Sequence, residues 1–229
     1  MKGAGAIKKL YFRVVKDSAF RFYVGFLFST LSTAVFTGYN LLLAVIYRSA
    51  WNVSIGVYYA VLTFLRADVL LREGKSLKQR LSEEKKRERR EKFLPRQCRL
   101  LFVADIALIA PIALMVLEKK QVVYSAIAAI SVAAYTVYKV VLLMRGFFGT
   151  KEKNSLKTSF FHNINLIDTS VSVLTLQYTL IMTFGEGIKG TMFTLCAFSS
   201  FVIWTVIVFF SVRMQIAVIR TEKNSGRQS

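Results

Sequence analysis

Five ionisable side chains lie within apolar stretches of the sequence, and they are the first candidates for chemistry. They are Arg66, Asp68, Asp105, Lys139 and Asp168. An ionised group is costly in an apolar environment, so each needs an opposite charge or a water-filled cavity. A carboxylate in such a place can carry a proton, hold a cation or fix a positive side chain. We expect Arg66 and Asp68, which adjoin a basic segment, to be anchors at a membrane surface.

Asp105 and Lys139 lie at matching depths in two consecutive apolar stretches. Asp105 follows Arg99 by six residues, and Lys139 precedes Arg145 by six. If the two stretches are antiparallel helices, a rise of about 1.5 Å per residue puts both groups roughly 9 Å from the same ends. The sequence therefore predicts an intramembrane ion pair between Asp105 and Lys139. We favour a structural pair over a transport relay, because an exposed charge in lipid is so costly.

Asp168 lies on the polar face of a predicted helix. At about 100° per residue, its neighbours fall within an arc of about 140°; they are His162, Asn165, Thr169, Ser172 and Thr175. The first two apolar stretches contain smaller sets of polar residues: Thr30, Thr33, Thr37, Asn40, Ser54, Tyr58 and Tyr59. Interhelical hydrogen bonds and a functional cavity both account for such stripes. The candidate cavity residues are Asp168, Asn165, Ser172, Thr169, Asn40 and Tyr59.

The direction in which Asp168 points follows from the free energy that its carboxylate would cost if it faced lipid. An unpaired carboxylate in hydrocarbon costs a few kcal/mol, and the residues on its face are hydroxyls and amides. We therefore expect Asp168 to face the interior of a helix bundle. It should lie near Asn40 or Tyr59, or beside Lys139.

The elements that position these residues are long apolar helices. Of the 229 residues 54% are hydrophobic, yet the net charge is +19, so apolar and basic residues must be segregated along the chain. Apolar runs of about 20 residues match a hydrocarbon layer about 30 Å thick. The sequence predicts an all-α polytopic membrane bundle with six transmembrane helices, at residues 22–47, 51–71, 100–117, 121–144, 160–184 and 190–212.

The basic residues are concentrated on one side of these predicted helices. Residues 72–99 alone contain twelve Lys and Arg against five Glu, whereas the segments on the opposite side together contain four basic and two acidic residues. By the positive-inside rule both termini lie in the cytoplasm. The predicted organisation is a basic interfacial helix at 1–21, a transmembrane hairpin at 22–71, a basic connector at 72–99, a second hairpin at 100–144, a basic loop at 145–159, a third hairpin at 160–212 and a basic tail at 213–229. Within the connector, a charge-rich helix is predicted at 72–94, and Pro95 is expected to end it.

This distribution also indicates the partners of the chain. Basic cytoplasmic segments attract anionic lipid head groups. Their placement on one side of the membrane explains the net positive charge of the chain, so no nucleic-acid partner is predicted. A homo-oligomer is possible, and the predicted location is the cell membrane, as a multi-pass protein. The sequence contains no paired carboxylate site, no Ser/His/Asp set with usable spacing and no phosphate loop, so it predicts neither an enzyme nor a bound cofactor.

The order of residues around four of the helices resembles the membrane domain of the cation diffusion facilitator family. The resemblance rests on Asn40-Leu41-Leu42-Leu43-Ala44-Val45 with Ser49, on Lys139, and on Asn154-Ser155 followed by Asp168, Ser170 and Ser172. It implies a cation-efflux bundle in which Asp168 takes one metal-ligand position. Ile164, Gly56 and Ala60 stand where the family has other ligands, so the sequence predicts no complete zinc site.

Two functions remain after these observations. The first is a small cation-transporter-like protein, in which Asp168 and the polar face around it line a cavity, with a proton or a monovalent cation coupled through one carboxylate. The second is a non-transporting scaffold or regulator, whose basic segments bind anionic lipid or a partner protein while the intramembrane polar groups hold helices together. The first is slightly favoured, because Asp168 has no obvious partner in the sequence.

Overall fold

The computed structural model describes residues 18–78, 83–117, 124–149, 156–184 and 189–225. Helices account for nearly all of these residues, because long apolar segments satisfy their own backbone hydrogen bonds only in this form. The helices are α1 (Ser18–Tyr47), α2 (Ala50–Lys78), α3 (Glu83–Ala107), α4 (Ile109–Leu117), α5 (Ala126–Gly149), α6 (Leu156–Phe184) and α7 (Lys189–Ser225).

Six stretches of these helices are long and apolar enough to cross a membrane, which confirms the predicted number. They are Tyr23–Tyr47, Ala50–Lys75, Phe93–Leu114, Ala126–Gly146, Phe160–Phe184 and Thr194–Arg220. The third combines α3 and α4, and the others lie in one helix each. Most of the predicted interfacial helix at 1–21 lies outside the described residues.

The two prolines have different effects on the third span. The prediction that the connector helix ends at Pro95 is wrong, because α3 continues through this residue. The chain breaks instead at Leu108, where α3 gives way to α4. Pro111 explains this break, because its ring and its missing N–H exclude the carbonyl of Ala107 from helical hydrogen bonding. Pro111 then lies in the first turn of α4, where a missing N–H costs least.

The turn between α1 and α2 is tight. Arg48 has a φ of 48°, which is the left-handed conformation that reverses a chain after a helix. Ser49 then caps α2, since its carbonyl oxygen accepts from Val53 N at 3.2 Å and its hydroxyl from Asn52 N at 3.4 Å. The two helices therefore pack closely along their length.

Three of the four main helix pairs are consecutive in the chain, and one is not. The closest contacts are those of α1 with α2, α5 with α6, α3 with α7, and α6 with α7. The third and fourth spans, which are consecutive, each pack mainly against another helix. Helix α6 is the most buried span. It therefore lies at the centre of the bundle, where its polar residues meet those of other helices.

Candidate functional site

Three charged side chains meet inside the bundle, and we call them the Asp168 cluster: Arg66 from α2, Lys139 from α5 and Asp168 from α6. Oδ2 of Asp168 is 2.9 Å from Nη2 of Arg66 and 2.5 Å from Nζ of Lys139. Each of the three side chains is at most 2% exposed. The prediction that Asp168 faces the bundle interior beside Lys139 is confirmed.

Helix α1 supplies neutral hydrogen-bonding groups to the cluster. The hydroxyl of Thr33 is 3.1 Å from Oδ2 of Asp168 and accepts from Nζ of Lys139 at 2.7 Å. The hydroxyl of Ser29 accepts from Nη1 of Arg66 at 2.9 Å. These contacts use part of the polar stripe predicted on α1, because Thr33 points at the cluster. Asn40, two turns further along, donates to the carbonyl oxygen of Phe36 in its own helix and does not contact the cluster.

Arg66 is not the surface anchor that the sequence predicted. It is fully buried, and Nη2 also donates to the backbone oxygen of Ile164 at 3.1 Å and to Oδ1 of Asn165 at 3.0 Å. The side chain points inward because α6 offers a carboxylate and two neutral acceptors. Arg66 follows Tyr59 by seven residues and so shares its buried helix face, which is the sequence signal that could have revealed this partner. Asp68, by contrast, is partly exposed and pairs with Arg72 at 2.9 Å.

The predicted ion pair between Asp105 and Lys139 is wrong. Asp105 accepts hydrogen bonds from the hydroxyls of Tyr58, at 2.8 Å, and Ser211. Its backbone oxygen accepts from Nε1 of Trp204 at 3.0 Å. Residue counting predicts the depth of a group along its helix, but it does not decide which helices are neighbours. Helix α3 packs against α7 and α5 packs against α6, so the two residues belong to different polar contacts.

We predict that Asp105 is a structural residue, joining α2, α3 and α7. Replacing it with leucine leaves the hydroxyls of Tyr58 and Ser211 buried without an acceptor and should lower the free energy of unfolding by about 2–4 kcal/mol. Asparagine keeps an acceptor for one hydroxyl and donates to the other, so it should cost less than about 1 kcal/mol. Unfolding in mixed micelles measures both changes. Equal losses for the two variants would contradict this assignment.

The remaining candidate residues of α6 divide between two roles. Asn165 binds Arg66 and belongs to the site. The hydroxyl of Thr169 donates to the backbone of Asn165 at 2.8 Å and lies 3.5 Å from the backbone oxygen of Lys139. Ser172 donates to the backbone of Thr169, and its carbonyl oxygen accepts from Thr136 at 3.1 Å. Thr169 and Ser172 therefore hold α6 against α5, as interhelical hydrogen bonding predicts.

Aromatic side chains enclose the Asp168 cluster towards both ends of the bundle. On the side where the chain enters α1, the rings of Phe26 and Phe161 are 4.2 Å apart, and the guanidinium of Arg66 lies over Phe26 at 5.8 Å. At the opposite end, Trp51 stacks on Tyr178 with ring centroids 4.4 Å apart. The cluster is thus an occluded polar site between two aromatic layers.

A third set of rings lies between the cluster and the Trp51 layer. Phe36 stacks on Tyr135 with ring centroids 3.7 Å apart, and it meets Tyr59 edge to face at 5.1 Å. Tyr59 is fully buried here. It was predicted to line a cavity with Asp168, but its position is in this aromatic layer, above the ion pairs rather than among them.

The cluster is neither charge-balanced nor saturated with hydrogen bonds. Two basic side chains surround one carboxylate, which leaves one formal positive charge in excess. Within the described part of the chain, Oδ1 of Asp168 and Nε of Arg66 are buried without a hydrogen-bond partner. Buried polar atoms in native proteins are normally paired, and a buried net charge is costly. A bound anion would offset the excess positive charge and accept a hydrogen bond from Nε of Arg66, whereas Oδ1 of Asp168 could donate to it only after that carboxylate is protonated.

The residues that stand at the other metal-ligand positions of the cation-efflux family take varied positions. Ala60 is exposed, Ile164 is fully buried and Gly56 packs so closely on Leu41 that a Cβ there would lie 2.6 Å from a methyl carbon of that leucine. Asp168 is held by two cations. In the ranges that the structure describes, no three His, Cys, Asp or Glu side chains gather where they could hold a metal ion.

Comparisons of this chain with protein-family models, characterised proteins and solved structures find no match.

Proposed function

We propose that this integral membrane protein is a proton-coupled carrier whose transport site is the Asp168 cluster. The observation that carries the proposal is the fully buried arrangement of two basic groups around one carboxylate, with Oδ1 of Asp168 and Nε of Arg66 left unpaired. A site used only for packing gains nothing from an excess charge in a low dielectric. A transport site gains from it, because the excess charge attracts a substrate of opposite sign.

The excess positive charge favours an anion over a metal cation as the transported species. A divalent cation next to Asp168 would be repelled by Arg66 and Lys139, both within 3 Å of that carboxylate. An anion has the opposite interaction with the same two side chains. Proton coupling follows from competition: Asp168 occupies both basic groups when ionised, and protonation of Asp168 frees them for the anion.

Transport through such a site requires access from each side of the membrane in turn. The aromatic layers formed by Phe26 with Phe161, and by Trp51 with Tyr178, are the barriers that would open alternately. Because each barrier is a pair of side chains from two different helices, a small separation of α1 or α2 from α6 would part it. On the Trp51 side, the set of rings around Tyr59 lies between the barrier and the cluster and must move as well. Such movements between packed helices are a common way in which membrane sites alternate access.

A structural role is the competing interpretation, and one observation favours it. The bonds of the Asp168 cluster join four helices, α1, α2, α5 and α6, which is what a structural ion pair in a scaffold protein would do. In that case the basic surface segments would carry the function, through anionic lipid or a partner protein. The two interpretations differ in whether a folded variant of the cluster loses activity.

Flux through proteoliposomes tests the carrier. The probes are anions that stay charged and do not cross vesicles unaided, such as phosphate, methanesulfonate and decanesulfonate, with an internal dye to record proton uptake. We expect wild-type protein to take up a proton together with one of these anions. Lys139→Met keeps the neutral pair of Arg66 with Asp168, so it should remain folded and lose more than about tenfold of the flux.

The control for this experiment is Asp105→Asn, a change in a buried polar contact outside the cluster. It should fold and retain its flux. The carrier proposal is wrong if Lys139→Met and wild type show the same anion-dependent proton uptake, or if wild type shows none. The scaffold interpretation would then be the supported one.

We also propose that both termini are cytoplasmic, since the basic residues concentrate on that side. Single cysteines that replace Gly5, Lys85 and Ser225 should react only with reagents that reach the cytoplasm, and those that replace Arg48, Lys119 and Gly187 only with external reagents. The native Cys98 and Cys196 are buried, so they should give little background. External labelling at position 85 would reverse the orientation.

A further inference from the structure

A groove of about 510 Å³ lies between α1 and α5 on the side of the bundle that faces lipid. Its outer margin is formed by side chains that are largely exposed, Leu31 at 60% and Val35 at 68%. Two hydrogen bonds connect the helices at the groove: the hydroxyls of Ser32 and Tyr138 are 3.3 Å apart, and the hydroxyl of Tyr39 donates to the backbone oxygen of Ala128 at 3.4 Å. These helices do not pack closely against each other here, and hydrocarbon is the medium that surrounds the opening.

The back wall of the groove is also the wall of the Asp168 cluster. Phe36 and Tyr135 line the groove, and their rings are stacked 3.7 Å apart with an interplanar angle of 7°. Nζ of Lys139 lies over the Tyr135 ring, 5.2 Å from its centroid. The Tyr135 ring is therefore next to both an apolar groove that is open to lipid and a buried site with an excess positive charge.

The length of the groove matches a hydrocarbon chain. Along α1 it extends from Phe28 to Tyr39, which is roughly 16 Å of helix rise. Half of the hydrocarbon core of a bilayer is about 15 Å, the depth that the chains of one leaflet occupy. The lining combines aromatic rings with the hydroxyls of Ser32 and Tyr138, so it suits a chain that carries a polar group near one end.

We propose that the groove between α1 and α5 binds a single-chain amphiphile with an anionic head group, the chain lying in the groove and the head reaching Lys139. The charge of the Asp168 cluster is complementary to such a head group, and a rotation of the Tyr135 side chain moves the ring that is next to both the groove and the cluster. The inference rests on the proposed function in one respect, since the head group takes the place of Asp168 at Lys139.

This assignment deepens the function by naming a substrate class and a route. The amphiphile reaches the site sideways from the membrane, so its chain never leaves an apolar environment. Only the head group is transferred past the aromatic layer, where Arg66 and Lys139 replace its hydration. The exposed rim of Leu31 and Val35 then requires no covering by another protein, because the ligand and the lipid fill it.

Photolabelling of the full-length protein in nanodiscs tests the site. The probe is a twelve-carbon alkyl sulfonate with a diazirine in its chain, and the comparison probe is the uncharged alcohol with the same chain and diazirine. We expect the sulfonate to label residues of the groove on α1 and α5. Val35→Trp, which fills the groove, should reduce this labelling about tenfold, and Lys139→Met should reduce labelling by the sulfonate but not by the alcohol.

Val45→Trp is the matched control, since Val45 is 76% exposed on α1 and does not line the groove. It should leave the labelling unchanged. Equal labelling by sulfonate and alcohol in wild type, or labelling of the groove that survives Val35→Trp, would mean that ordinary lipid fills the groove, and the inference would be wrong. Flux of methanesulfonate without groove labelling would remove this site and leave the carrier. Groove labelling without any flux would remove the carrier and leave an anionic lipid site.

Discussion

Replacement of Asp168 by asparagine should destabilise the protein by about 3–5 kcal/mol, more than any other single change in the Asp168 cluster. The reason is charge balance. Asp168 is the carboxylate between Arg66 and Lys139, and without it two positive groups remain buried beside each other. Replacement of Lys139 by methionine leaves the neutral pair of Arg66 with Asp168, so it should cost only about 1 kcal/mol, mainly for lost hydrogen bonds.

The double variant provides the decisive comparison. With both Asp168→Asn and Lys139→Met, one buried positive charge remains instead of two, so the double change should cost less than Asp168→Asn alone. Unfolding by detergent in mixed micelles gives the free energies. If the two changes simply add, then Asp168 and Lys139 do not interact, and the cluster has been assigned wrongly.

Replacement of Arg66 by lysine should lower the free energy of unfolding by about 2–4 kcal/mol even though the charge is kept. The guanidinium of Arg66 binds α1 through Ser29 and α6 through the backbone oxygen of Ile164 and the side chain of Asn165, in addition to Asp168. The lysine side chain has one nitrogen donor, whereas the guanidinium donates from three nitrogens in different directions. Lysine cannot reach both helices at once, so acceptors on α1 or α6 remain unpaired.

Arg72→Lys is the matched control, because this arginine lies on the same helix and pairs with Asp68 from a half-exposed position. A surface pair of this kind contributes little, so the change should remain within about 0.5 kcal/mol of wild type. Similar losses for the two variants would show that α2 is sensitive to any arginine replacement. The fork geometry of Arg66 would then have no special role.

The membrane spans could be predicted because the bilayer imposes a length and a composition that each segment must satisfy by itself. Phe160–Phe184 agrees with the predicted fifth helix at 160–184, and Tyr23–Tyr47 begins one residue from the predicted start. The third span was less predictable. It begins at Phe93 rather than at 100, because α3 tolerates Pro95 inside the helix. Local sequence shows that a proline removes one hydrogen bond, but not whether the helix continues past it.

The interior position of Asp168 was also determined by the sequence. Its cost in lipid depends only on the residue and its depth, and the hydroxyls and amides on its helix face indicate which side turns inward. The sequence did not determine which role each residue on that face has. Asn165 binds Arg66, whereas Thr169 and Ser172 bind backbone oxygens. Which partner a side chain binds depends on its rotamer, and the rotamer is selected only when the neighbouring helices are packed.

What the sequence by itself determined are the properties that each helix has alone: six apolar spans, the depth of each charge and the face that must avoid lipid. What only the tertiary structure decided is which helices are neighbours. Arg66 and Lys139 meet at Asp168, and Asp105 joins Tyr58 and Ser211 instead, because α6 packs at the centre and α3 packs against α7. Depth along a helix is set by counting residues, whereas the partner across the bundle depends on how the side chains of all six spans fit together at once.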